Sequence, residues 1–186
     1  MERGWAVDPE PFTWPTEFDS QAIHHLNTMQ YEWQLIMNLG QAIAIAAQAH
    51  EGQVDKAGKA HILHPIEVML RVGDDVDMQI VAILHDTIED THVTSDTLYR
   101  AGFSHDIIMA VEAISKREGE TNMDYWKRVR ENELAKAVKL HDIAHNTSPS
   151  RMANLAEDER NYLQKKYKKA LRVLNENDLS GETTKD

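Results

Sequence analysis

The fold class that the chain predicts is all-α, a globule of roughly eight to ten helices. Three observations carry it. Apolar residues recur at spacings of three and four through most of the chain. No stretch alternates apolar and polar with period two, and no Asn-Gly hairpin signal separates two apolar runs.

Taken in order, residues 1–19 hold three of the five prolines and two of the four tryptophans and read as an extended arm, docked only through Trp5, Phe12 or Trp14. The helical body is expected over 20–176 and a frayed tail over 177–186. Leu35, Leu39, Ile43 and Ala46 make one face of a helix that ends near His50. The polar stretch EGQVDKAGKAH, with two glycines, is the best loop candidate. His64-Pro65 opens the next helix, since proline at a first helical position lacks only an N–H that would go unpaired; Ile66, Met69 and Leu70 are its expected apolar face. Asp77 is the expected cap of a helix running through Ile80, Val81, Ile83 and Leu84 into an acidic cluster. Thr94 or Ser95 starts another, ending near Gly102. Residues 105–116 form a further one with Ile107, Ile108, Val111 and Ile114 inward. Asn122 to Arg130 and Glu133 to His145 follow. Asp158 to Asn175 is a long charged helix with Tyr162, Leu163, Tyr167, Leu171 and Leu174 on one face, and the lysines at 165, 166, 168 and 169 on its solvated side.

A chain of 186 residues with 41% hydrophobic and 27% charged content suits one compact domain. A net charge of −11 argues against non-specific binding to nucleic acid, which needs clustered cations. The absence of cysteine excludes disulfides, thiolate metal sites and a cysteine nucleophile. MERGWAVDPEPF has no basic start followed by an apolar run, so no secretory signal is expected. The most apolar stretch, AIAIAAQA, is too short to span a bilayer. These readings together predict a cytoplasmic protein with no membrane partner. Oligomeric state stays open, a homodimer included.

The chemistry concentrates in ILHDTIEDT at 83–91, where His85, Asp86, Glu89 and Asp90 follow an apolar run. Four ionisable groups at the end of a buried helix are costly unless a cation and a phosphate compensate them. With His64 and Asp142 they make a set of imidazoles and carboxylates suited to Mn²⁺, Fe²⁺ or Zn²⁺. Adjacent helical residues splay by about 100°. His85 and Asp86 therefore grip one ion only where the backbone leaves regular geometry or at a last turn, and TIEDT is the expected break. Glu89 and Asp90, one turn on, are the candidate acid–base groups. The pair His105-Asp106 reads as a helix cap without a role, and His24-His25 as exposed. His50 reads as a helix-end residue, and KREGE at 116–120 as a charged turn from which Lys116 or Arg117 could reach phosphate.

The segments AHEGQVDKAGKAHILHP, AILHDTIEDT, ISKREGETNMDYWKRV and VKLHDIAHN together resemble the HD-domain metal phosphohydrolases, most closely the alarmone (ppGpp) hydrolase branch. The resemblance covers about residues 35–175. It implies an HD-domain helical globule and a manganese ion held by His64, His85, Asp86 and Asp142. It further implies Glu89 and Asp90 at the attacking water, and Lys56 and Asn146 near a nucleotide. The chain departs from the family at Asp55, usually arginine, at His61, usually tyrosine, and at His141, usually alanine. The metal and acid–base positions are kept while substrate-reading positions such as His61 change. The expected activity is therefore removal of pyrophosphate from the 3′ position of (p)ppGpp. The alternative is an HD-type nucleotidase or phosphatase acting on a dNTP, a nucleoside monophosphate or an NADPH-like dinucleotide. A non-catalytic nucleotide-sensing module is the third reading.

Overall fold

The structure, a computed structural model, describes residues 28–29, 38–55 and 58–176. The helices treated below belong to the compact unit Leu35–Asp186. Among the described residues there is no strand, only an isolated antiparallel bridge between Val54 and Ala60. The helices are α1 (38–49), α2 (Leu63–Arg71), α3 (Val76–Leu84), α4 (Thr87–Asp90), α5 (Ser95–Arg100), α6 (His105–Ile114), α7 (Asn122–Arg130), α8 (Glu133–Asn146), α9 (Pro149–Met152) and α10 (Glu157–Asn175).

The centre is α3. Ile80, Val81, Ala82, Ile83 and Leu84 are all fully buried, and a helix apolar on every side must be wrapped on every side. It packs against α2, α6 and α8, and α8 in turn touches α2, α7 and α10. The two helices that end in or carry the charged motifs are therefore the two innermost ones.

Local chemistry sets the helix starts. Thr94 accepts from the Thr97 N–H in a full capping box, and Ser104, Thr121 and Asn132 cap α6, α7 and α8 in the same way. Each satisfies an amide that has no partner within the helix. The cap of α3 is Asp75, whose carboxylate accepts from the Met78 N–H at 2.9 Å. Asp77, the expected cap, lies inside the first turn, two residues too late to face the free amides. Similarly, α2 begins at Leu63, so Pro65 is its third residue and not its first.

Two predicted faces are corrected. In α2 the buried residues are His64, Pro65 and Val68, with Val72 just beyond the helix; Ile66 and Met69 pack partly buried against the core as expected, while Leu70 is 67% exposed. Two residues from Val68 is about 200° around the helix, which turns Leu70 outward. In α10 the core side is Ala170, Val173 and Leu174, with Tyr167 packed partly buried against it, so Leu174 and Tyr167 lie as expected; Tyr162 and Leu171 face outward. Among its lysines, 165, 168 and 169 are exposed as expected, but Lys166 is half-buried and lines a cleft. The short α9 had no signal beyond a proline and was not anticipated.

No helix among the described residues is long and apolar enough to cross a membrane. The arm expected over 1–19 and the tail over 177–186 lie outside the described residues, as do Leu35 and His24-His25.

A candidate metal centre in a cation-rimmed cleft

His85 and Asp86 sit at a break between helices: His85 closes α3 and Asp86 opens α4. The break falls on the pair itself, and TIED, expected to be irregular, forms a helical turn of its own. As a result neighbouring residues converge, with His85 Nε2 3.0 Å from Asp86 Oδ1. His64 enters from the first turn of α2, its Nε2 3.6 Å from Asp86 Oδ2 and 3.1 Å from Asp142 Oδ1. Asp142, from the middle of α8, also lies 3.9 Å from His85 Nε2. All four residues named from the sequence as ligands thus come together.

The donor set fits a divalent cation. Bonds of about 2.1 Å at right angles place neighbouring ligand atoms about 3.0 Å apart and opposite ones about 4.2 Å apart; the separations here run from 3.0 to 3.9 Å. His85 Nδ1 donates to the Ala82 carbonyl at 2.7 Å, which turns Nε2 toward the two carboxylates. That Nε2 is buried and has no hydrogen-bond partner, although a carboxylate oxygen is close by. Donors that approach one another without hydrogen-bond alignment are aimed at a shared point between them. His64, His85 and Asp86 alone bring one ligand atom each within 4.8 Å of the others.

The surrounding groups orient this set. His64 Nδ1 is bonded to His145 Nδ1 at 2.8 Å. Burial and then the neighbouring His64 lower the His145 pKa to about 4, so that ring is neutral. Lys139 Nζ lies 2.8 Å from Asp142 Oδ2, and the Asn146 amide donates to Asp142 Oδ1. Burial opposes charge on Asp142 and Asp86, but the nearby cationic groups prevail, Lys139 for the first and His85 for the second, and hold both carboxyls well below their usual range. Burial likewise opposes charge on His85, yet Asp86 and Asp142 raise its pKa to about 9. The centre's own field therefore calls for positive charge.

Glu89 and Asp90 end α4 beside this centre. The Glu89 carboxylate accepts the Lys116 backbone N–H at 2.7 Å, and the Asp90 carbonyl accepts from Gln53 Nε2 at 3.1 Å. Both residues reach the surface of the cleft, but the protein crowding their carboxyls raises both pKa values. A tight turn closed by the Lys59 and Asp55 backbones and by the His61 N–H to Gln53 carbonyl bond carries His61 to the same place. His61 Nε2 reaches 3.4 Å from Asp86 Oδ2. Of the three residues expected to read substrate, His61 therefore stands at the Asp86 carboxylate, Asn146 touches Asp142, and Lys56 lies outside the described residues.

The sequence reading missed Lys139 and His145. Both sit three residues from Asp142 on one helix, a spacing that places side chains on the same face, so the signal was present. It also missed the cleft of about 720 Å³ above the centre. Its walls carry Lys59, Arg71, Lys116, Arg151 and Lys166, with the carboxylates of Asp55 and Glu67 among them.

An all-α body that gathers His64, the His85-Asp86 pair and Asp142 around one point has the architecture of an HD-domain protein. Within that class the chain is similar to the alarmone enzymes. It is 36% identical over 84 residues to the bifunctional (p)ppGpp synthase/hydrolase SpoT of Escherichia coli K12, a stretch covering 44% of this chain and 12% of that protein. It is 31% identical over 93 residues to a guanosine-3′,5′-bis(diphosphate) 3′-pyrophosphohydrolase of Borreliella burgdorferi, covering 48% and 14%. The chain thus spans under a fifth of the length of these relatives. No family model matches it. A solved structure described as a metazoan ortholog of SpoT that hydrolyzes ppGpp superposes with a TM-score of 0.63 at 20% identity, covering 74% of this chain and 85% of that one. The resemblance to HD-domain alarmone hydrolases therefore holds in sequence and in fold.

Proposed function

We propose that the chain is a metal-dependent phosphohydrolase that removes pyrophosphate from the 3′ position of (p)ppGpp or a closely related nucleotide. The observation that carries this reading is the convergence of two imidazoles and two carboxylates, with an orphaned buried His85 Nε2, at the floor of a cleft whose walls include five lysines and arginines. The similarity to 3′-pyrophosphohydrolases supports the substrate.

His64, His85, Asp86 and Asp142 would hold the ion, which we assign as Mn²⁺; Fe²⁺ and Zn²⁺ suit the same ligands. A divalent ion there supplies Lewis acidity and lowers the pKa of water. The protein's own groups do the rest. Glu89, anchored by the Lys116 N–H, takes the proton from the attacking water. Asp90 flanks it. Lys116 and Lys166 neutralise the diphosphate; the bond between the ribose 3′ oxygen and phosphorus breaks, and the proton held by Glu89 passes to the leaving 3′ oxygen as pyrophosphate is released. Asn146, bound to Asp142, steadies that ligand beside the sugar. We assign the working compartment to the cytoplasm, where such a nucleotide is at hand.

One observation favours a second reading, hydrolysis of another phosphorylated nucleotide. Asp55 sits 3.7 Å from Arg151 and accepts the Lys59 N–H, so it partly neutralises a cation on the cleft wall where the resembling enzymes carry another positive charge. Incubation of the chain with Mn²⁺ and ppGpp, beside a panel of dNTPs, nucleoside monophosphates and NADPH, separates the two. Release of pyrophosphate from ppGpp, lost in Asp86→Ala and Asp142→Ala, is the expected result. Turnover of another nucleotide with ppGpp untouched would refute the alarmone reading.

A further inference from the structure

His61, Asp86 and Asp90 bring one ligand atom each within 4.8 Å of the others. His61 Nε2 is a buried atom with no hydrogen-bond partner, though Asp86 Oδ2 is 3.4 Å away. Its ring is held on one side by His50, with centroids 4.6 Å apart. His50 in turn is fixed by its Nδ1–H to Gln53 Oε1 at 2.8 Å, and Gln53 ties down the Asp90 backbone. The triad therefore rests on an ordered support, as a ligand set requires. Asp86 belongs to both groups: Oδ1 faces His85 Nε2, while Oδ2 lies between His61 and His64.

We propose that His61, Asp86 and Asp90 form a second divalent-cation site, joined to the first through the shared Asp86 carboxylate. Three protein ligands leave the remaining positions of a six-coordinate ion to water and phosphate oxygens. Two cations bridged by one carboxylate would grip adjacent oxygens of a single phosphorylated group. This inference rests on the proposed ion at His64, His85, Asp86 and Asp142, and it makes His61 a ligand where the resembling enzymes have tyrosine.

Equilibrium dialysis of the full chain against Mn²⁺ measures the stoichiometry directly, and electron paramagnetic resonance reports whether two ions are exchange-coupled. Two ions per chain with a coupled spectrum are expected. His61→Tyr should leave one ion and an uncoupled six-line signal, and Asp90→Asn should weaken the second site at least tenfold; circular dichroism checks that each variant is folded. One ion per chain in the parent, with ppGpp hydrolysis intact, overturns the second site and leaves the proposed function standing. Two ions persisting in both variants also overturns it. No bound ion at all overturns both readings.

Discussion

Arg128 is the residue whose removal the structure prices most clearly. From α7 its Nη1 donates to the carbonyls of Glu112 and Ala113 at 2.7 and 2.9 Å, and Nη2 donates to the Ser115 carbonyl at 2.9 Å. Nε and Nη2 also grip both oxygens of Glu120, at 2.9 and 2.6 Å. One guanidinium thus satisfies the free carbonyls at the end of α6 and pins the 115–121 loop, which supplies the amide that holds Glu89. Arg128→Met removes all five bonds and leaves Glu120 only the Arg117 backbone N–H. Breaking a buried ion pair costs about 3–5 kcal/mol. With side chains 17% and 12% exposed, solvent screens part of that, and about 3 kcal/mol is expected, or roughly 6–12 °C in Tm for a domain of this size. Arg128→Lys keeps the charge but has one compact donor group for five acceptors, so it should recover less than half. Urea unfolding followed by circular dichroism, at unchanged m-value, measures both. The pH dependence adds a check. The Arg128 hydrogen bonds hold the Glu120 pKa below its ordinary value of 4.5. Their contribution is therefore complete above pH 4.5 and is lost as pH falls through the depressed folded-state value. The gap between wild type and Arg128→Met should narrow between pH 6 and pH 3. It should not close, because the carbonyl bonds remain. Full stability in Arg128→Lys, or a gap that is flat across that range, would refute the reasoning.

Three further predictions concern the site. Lys139→Met leaves the buried Asp142 without the ammonium 2.8 Å away. It should destabilise the metal-free protein by about 3–5 kcal/mol and the Mn²⁺-loaded protein by less, so equal losses in thermal melts with EDTA and with Mn²⁺ would contradict a cation at Asp142. Glu89→Gln keeps the hydrogen bond from Lys116 but cannot take a proton; kcat should fall about 10²–10⁴-fold with Mn²⁺ uptake unchanged, and a rise in KM at constant kcat would move Glu89 from proton transfer to substrate binding. Tyr125→Phe deletes a buried hydroxyl that donates to the Ile114 carbonyl at 2.5 Å. A cost of about 1–3 kcal/mol is expected, and no shift in urea midpoint would count against that bond.

Much of the architecture was legible because it rests on local chemistry. A side-chain cap such as Thr94 acts within three residues of itself, and the apolar run before His85 could only be an interior helix; at α6 the cap is Ser104 and not the expected His105-Asp106, which lie inside the first turn. The bounds of α7 came out as read. Where the reading slipped, the competing residue was close by. Asp75 and Asp77 are both plausible caps, and only backbone geometry decides that Asp75 takes the amide. Leu70 continues the stripe of Ile66 and Met69 as reasonably as Val68 and Val72 do until the partner surface is known.

The sequence by itself determined the all-α class, the inner position of α3 and the inventory of imidazoles and carboxylates, since residue type and periodicity depend on neighbours in the chain. The tertiary structure alone decided that the helix breaks at His85-Asp86, that Lys139 and His145 brace the ligands, and that His61 meets Asp86 and Asp90. Those facts depend on distances between segments up to 81 residues apart, such as His64 and His145, and periodicity along a chain carries no information about which faces of distant helices will meet.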